Sequence, residues 1–178
     1  MNASLIQADK KYLERKCNVK GIKLDYAQLP AYPSKEFVPA LSEYIQSKYP
    51  EIPVYMALTM YSNYTDPIKE KLYIVGLAYL YSEHRVDNIA LIRKNLENHF
   101  RLDYLDFTWY GENYLASGIV DKLNMNYVAG MVILAEHYQK SGLPDLARKW
   151  AQKALSIAEK GGVGDQMLKD LEKKGIHL

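Results

Sequence analysis

The stretch from Val128 to Glu159, "VAGMVILAEHYQKSGLPDLARKWAQKALSIAE", decides what kind of fold this chain has. Ahead of its turn, Tyr127, Met131, Leu134, Ala135 and Tyr138 recur at i, i+4, i+7, i+8 and i+11, a single apolar stripe along one helix. Beyond the turn, Ala147, Trp150, Ala151, Ala154, Leu155 and Ala158 make the matching stripe on a second helix. Between them Ser141-Gly142-Leu143-Pro144 reads as a stop followed by a start. Gly142 supplies a left-handed C-cap, and Pro144 suits the first turn of the next helix, where its missing N–H has no partner to lose. The small alanines let the two backbones approach closely, and Tyr138 fills the space beside them. A helical hairpin follows.

On the C-terminal side, Gly161, Gly162 and Gly164 break the chain, and residues 166–174 form a last, charged helix. On the N-terminal side, residues 88–100 read as a helix with Ile89, Ile92, Leu96 and Phe100 inward. Residues 101–113 form a polar-aromatic connection holding Trp109, Tyr110 and Gly111, and residues 112–122 are helical again. Before about residue 85 the texture changes. Pro30, Pro33, Pro39, Pro50, Pro53 and Pro67 cluster there among short β-rich runs.

In that first part, residues 4–16 suit an amphipathic helix with Leu5, Ala8, Tyr12 and Leu13 on one stripe. Residues 19–26 alternate Ile22, Leu24 and Tyr26 against Lys23 and Asp25, as a half-buried strand does. Ser34 can cap a helix with Phe37, Leu41, Tyr44, Ile45 and Tyr49 inward, which Pro50 and Pro53 end. Residues 53–59 are uncharged, as in a strand covered on both faces, with Val54, Met56 and Leu58 central. A turn over 63–67 leads to a short helix over 68–75, Gly76 stops it, and residues 77–81 read as another strand. This order predicts an α+β or α/β fold: a small parallel or mixed sheet with flanking helices in residues 1–85, then an all-helical part in residues 86–178, sharing one core.

The chain has 178 residues, 48% apolar and 25% charged, an ordinary globular balance. Its formal net charge of +2 gives no reason to expect a nucleic-acid partner. The longest run without a charge, residues 52–65, is shorter than the ~18–20 residues a spanning helix needs. Asp9, Lys10 and Lys11 interrupt any secretory apolar core. One cysteine, Cys17, excludes an internal disulfide and a cysteine-cluster zinc site, and leaves the redox compartment open. Sixteen tyrosines against three Phe and two Trp suit half-buried surfaces, either an amphipathic core lining or a recognition surface for peptide or sugar.

The residues Leu134, Ala135, Tyr138, Gly142, Ala147, Ala151 and Ala154 are spaced as a tetratricopeptide repeat spaces its small and large residues, and the hairpin resembles one such repeat. Met131 stands where that repeat usually has Trp, and Glu159 where Pro is common. A single hairpin cannot bury its own face, so it must stack on the helices before and after it. A wider resemblance covers residues 19–160 and is carried by "KGIKLDYAQL", "YIQSKYPEIPVYMALT", "EKLYIVGLAYLYS" and "VDNIALIRKNLENHFRL", with "IPVYMA" and "GLAYLYS" the most specific. This order is similar to the C-terminal soluble region of bacterial protein O-mannosyltransferase-like membrane proteins. The resemblance implies a non-catalytic accessory domain of a glycosyltransferase-like protein, on the extracytoplasmic side, binding protein or glycan. Met1 would then be a boundary within a longer chain. The alternative is a free-standing cytoplasmic scaffold with a native start at Met1.

Catalytic constellations are sparse. His84, His99, His137 and His177 show no i, i+4 metal spacing. Glu83-His84-Arg85 at a strand end could hold an acid–base group, but reads more simply as a solvated turn. Asp103 and Asp106 lack a completing partner and suit loop capping. Gly161-Gly162-Val163-Gly164 follows a helix, whereas a phosphate cradle follows a strand. Arg15, Lys16 and Lys20 could depress the Cys17 pKa, though no His pairs with it. Neither a Gly-x-Ser-x-Gly nor an HExxH motif occurs. No catalytic residue, metal or cofactor is expected. If the hairpin works as the repeat it resembles, Val132, Glu136, Gln139 and Lys140 form the partner-facing stripe of its first helix, offering one apolar contact with donors and acceptors for an extended peptide.

Overall fold

The computed structural model describes residues 3–106 and 114–178. Trp109, Tyr110, Gly111 and Glu112 lie outside the described residues, as do the side chains of Leu5, Ala8 and Asp106. In chain order the elements are α1 (Ala3–Val19), α2 (Phe37–Lys48), β1 (Val54–Ala57), α3 (Ser62–Thr65), β2 (Leu72–Ile74), β3 (Ala78–Tyr81), α4 (Asn88–Arg93), α5 (Tyr114–Lys140), α6 (Pro144–Lys160) and α7 (Gly164–Lys173). Short 3-10 turns cover Tyr26–Gln28, Asp66–Lys71 and Asp103–Asp106, and a π-helical turn covers Lys94–His99. The fold is mixed α+β, with a helical C-terminal part and a small sheet.

That sheet is antiparallel, in the order β1-β3-β2, and not parallel or mixed as the strand–helix–strand reading suggested. The segment read as a helix over 68–75 is a 3-10 turn that runs straight into β2. Only Gly76 and Leu77 lie between Val75 and Ala78, whose backbones pair at 3.0 Å, while Ser82 N donates to Lys71 O at 2.9 Å. So short a link permits a hairpin and forbids a parallel crossover. Gly76 sits at φ +133°, and a Cβ there would meet the Phe100 ring at 3.0 Å. Leu72, Tyr73 and Ile74 are therefore free to extend up to the turn.

Three further expectations need correction. The strand over 53–59 is β1, an edge strand with Tyr55 and Ala57 exposed and Met56 buried, so it is covered on one face and is not central; Leu58 lies in the turn after it. No strand forms over 19–26. Gly21 instead closes α1 at φ +74°, and Ile22 N donates back to Cys17 O at 2.9 Å. Its apolar alternation serves packing on helices, with Ile22 buried beside Cys17 and Ile45. Ser34 does not cap α2 through its hydroxyl, which is buried with no partner among the described residues; its carbonyl accepts from Phe37 N at 3.2 Å.

The chain resolves into two compact units, Met1–Met56 with Met60–Leu72 and Leu80–Arg85, and Ala57–Thr59 with Tyr73–Tyr79 and Val86–Leu178. In the first, Cys17, Ile22 and Ile45 form a small core that Leu13, Leu41, Ile52 and Val54 cover. The second contains the larger core. Met131, Leu134 and Ala135 of α5 meet Ala147, Ala151 and Ala154 of α6, and all six are fully buried. Gly142 adopts φ +73°, and Leu143 N donates to Tyr138 O at 2.9 Å, the C-cap its sequence calls for. Gly162 (φ +78°) and Gly175 (φ +72°) close α6 and α7 in the same way.

Two helical boundaries differ from those the pattern suggests. The helices expected over 112–122 and around Tyr127 are one, α5, because Asn124-Met125-Asn126 continues the turn. The helix expected over 88–100 is α4 followed by a π-turn, in which Phe100 N donates to Asn95 O at 2.7 Å, five residues back. Asn95 also donates its amide to Val75 O, which holds that widened turn in place. Among the described residues no helix is long and apolar enough to cross a membrane.

Candidate functional site

In the second unit a groove of about 660 Å³ runs between α5 and α7. Its floor is apolar: Met125, Val132 and Ile133 come from α5, and Met167 from α7. Lys173 and Lys174 stand at one end with Asp170. The α5 residues fall at i, i+7 and i+8, a second apolar stripe beside the one that packs on α6. The groove exists because α7, after the Gly161–Gly164 break, packs back on α6, and Leu171 and the following Ile176 are buried in the same core as α5.

The four residues expected to face a partner divide between two tasks. Val132 lines the groove and is half-buried. Glu136 and Gln139 instead anchor the end of α7. Lys174 Nζ donates to Glu136 Oε2, and Gln139 Nε2 donates to Gly175 O at 2.9 Å. Lys140 is exposed and pairs with Glu136 Oε1 at 2.7 Å. Its hydrogen bond, with that of Lys174, holds the Glu136 carboxyl below the usual range. Met125, Ile133, Met167 and Lys173 were not among the expected site residues. Their signal was present only as a weaker second stripe on α5 and as the apolar positions of the charged last helix.

Of the constellations weighed from sequence, Glu83-His84-Arg85 is the one that gains a setting. In the first unit Lys71 Nζ lies 3.0 Å from Glu83 Oε1 and 3.1 Å from Glu43 Oε1 on α2. The buried Tyr81 donates its hydroxyl to the same Glu83 oxygen, and Lys71 sits 5.9 Å from the centre of the Tyr81 ring. The Tyr81 and Lys71 hydrogen bonds push the Glu83 carboxyl down. The same two carboxylates push the Lys71 ammonium up. Glu43, Lys71 and Glu83 border a cleft of about 790 Å³ with His84, Gln46 and Tyr44.

Cys17 is buried, and burial raises its pKa, opposite to the lowering its basic neighbours suggested. Arg101 pairs with Asp103 at 3.0 Å. Gly161-Gly162-Val163-Gly164 is the break between α6 and α7. No group of three His, Cys, Asp or Glu able to hold a metal occurs among the described residues.

No protein-family model matches this chain, nor does any curated protein or solved structure.

Proposed function

We propose that this chain is a non-catalytic binding domain whose helical hairpin receives an extended peptide segment of a protein partner. The observation that carries this reading is the α5–α7 groove, with an apolar floor of Met125, Val132, Ile133 and Met167 and ammonium groups at one end. Such a groove suits a peptide that places an apolar side chain on the floor and a carboxylate beside Lys173, whose own partner Asp170 is a longer 3.4 Å away. Glu136 and Gln139 support the site by fixing the end of α7.

The resemblance to the soluble region of O-mannosyltransferase-like membrane proteins supports placing this domain as an accessory part of such a protein, on the extracytoplasmic face. The rival placement is a free-standing cytoplasmic scaffold. A coding frame that continues upstream of Met1 into several apolar spans favours the first, and an upstream stop codon favours the second.

Selection from an unbiased displayed library of dodecapeptides tests the binding role. The expected result is enrichment of sequences that pair a large apolar residue with a nearby Asp or Glu, with binding lost in Val132→Lys and the melting midpoint kept. Absence of enrichment, or enriched peptides that bind Val132→Lys as well as the parent, contradicts the proposal.

A further inference from the structure

We propose that the polar cleft of the first unit is a binding site for a neutral saccharide. This goes beyond the peptide groove: it uses other residues, in the other unit, for another class of ligand. The argument begins with the hydrogen-bonding capacity left unused. Lys71 bonds only Oε1 of Glu43 and Oε1 of Glu83, and Tyr81 uses that same Glu83 oxygen. Oε2 of each carboxylate has no partner among the described residues. Gln46 makes one long amide bond, to Pro50 O at 3.5 Å, and its Oε1 has no partner among the described residues. The His84 ring makes no hydrogen bond among the described residues, and Lys71 keeps a third N–H. All of these groups border one cleft of about 790 Å³, with the half-buried Tyr44 beside them.

The charge pattern then selects the ligand. An anion would face two carboxylates against one ammonium. A metal ion or amine would have to enter between the carboxylates, where Lys71 Nζ already sits within 3.1 Å of both. A neutral ligand bearing several hydroxyls meets neither obstacle. Each hydroxyl both donates and accepts, so it can give to a carboxylate Oε2 while taking from Lys71, His84 or a carboxamide. Bonds to the charged members are the strong kind. Tyr44 and Pro50 offer apolar surface for the C–H face of a sugar ring. The two Oε1 atoms lie no more than about 6 Å apart, since both touch one nitrogen. The hydrogen bonds from Tyr81 and Lys71 hold the Glu83 carboxyl below its usual range, so it is placed to accept from a sugar hydroxyl.

Titration of the isotope-labelled protein, followed by amide resonances, tests this. The probes are maltotriose, cellotriose and mannotriose, with spermidine as cationic control and citrate as anionic control. At least one trisaccharide is expected to shift Glu43, Lys71 and Glu83 saturably. Gln46→Ala and His84→Ala should each weaken that binding at least tenfold without moving the melting midpoint, because neither side chain has a strong partner to lose. Val132→Lys should leave it unchanged, which keeps this result separate from that of the peptide groove. The proposal is overturned if no trisaccharide shifts these residues, if spermidine or citrate shifts them and the sugars do not, or if the two alanine variants bind as the parent does.

Discussion

Ala154 shows how far one side chain governs the hairpin. It is fully buried where α6 packs on α5, in a core whose members include Met131 and Leu134. An added isobutyl group would force those neighbours off their rotamers, so Ala154→Leu should cost ~1–3 kcal/mol, measured by chemical denaturation. An unchanged midpoint would mean the α5–α6 register is wrong. Glu136 governs a different property. Its carboxyl is held down by Lys140 and Lys174, so its contribution is full above the unfolded carboxyl pKa of ~4.3 and is lost as pH falls through its lower folded value. Amide protection at Gly175 and Ile176 should hold steady between neutrality and about pH 5 and fall below about pH 4. Glu136→Gln should remove that pH dependence, and a parent-like acid loss in the variant would assign it elsewhere. From sequence, Glu136 and Gln139 read as partner-facing because they are polar and lie off the apolar stripe. Their partners Lys174 and Gly175 are 38 and 36 residues away, beyond what local spacing can indicate.

Among the elements, those built from local contacts were legible and those built from distant ones were not. The α5–α6 hairpin was readable because its period, its small residues and its Gly142–Pro144 turn all lie within 32 consecutive residues. The sheet was not. Short apolar runs such as Leu72–Ile74 fit helix or strand equally, and what decides is the tight Gly76 turn. β1 misled for a related reason: a run without charge resembles a buried strand, yet Tyr55 and Ala57 face outward from a sheet edge. Substitutions along β1 should therefore alternate in effect. Met56→Asp buries an unpaired charge and should largely abolish folded protein, whereas Tyr55→Asp should change stability by no more than ~0.5 kcal/mol. Equal effects of the two, read by solubility and denaturation midpoint, would place β1 in the middle of the sheet.

At the scale of the whole chain, one proposed site lies in each unit, and both depend on returns of the chain. The groove needs α7 to fold back on α6 so that Met167 and Lys173 line it with residues of α5, and the cleft needs Glu43, Lys71 and Glu83, which are 28 and 12 residues apart, to converge. Neither convergence leaves a motif, which is why Glu83-His84-Arg85 looked like a plain turn and the groove showed only through Val132. The central claim is that the helical unit binds a peptide in the α5–α7 groove. Its most direct test follows the methyl resonances of Met125, Val132, Ile133 and Met167 while a selected apolar–acidic peptide is added. The account predicts saturable shifts concentrated on those four residues, with contacts from the peptide's apolar side chain. Shifts centred elsewhere in the unit, or no shift at peptide concentrations that saturate binding, would contradict it.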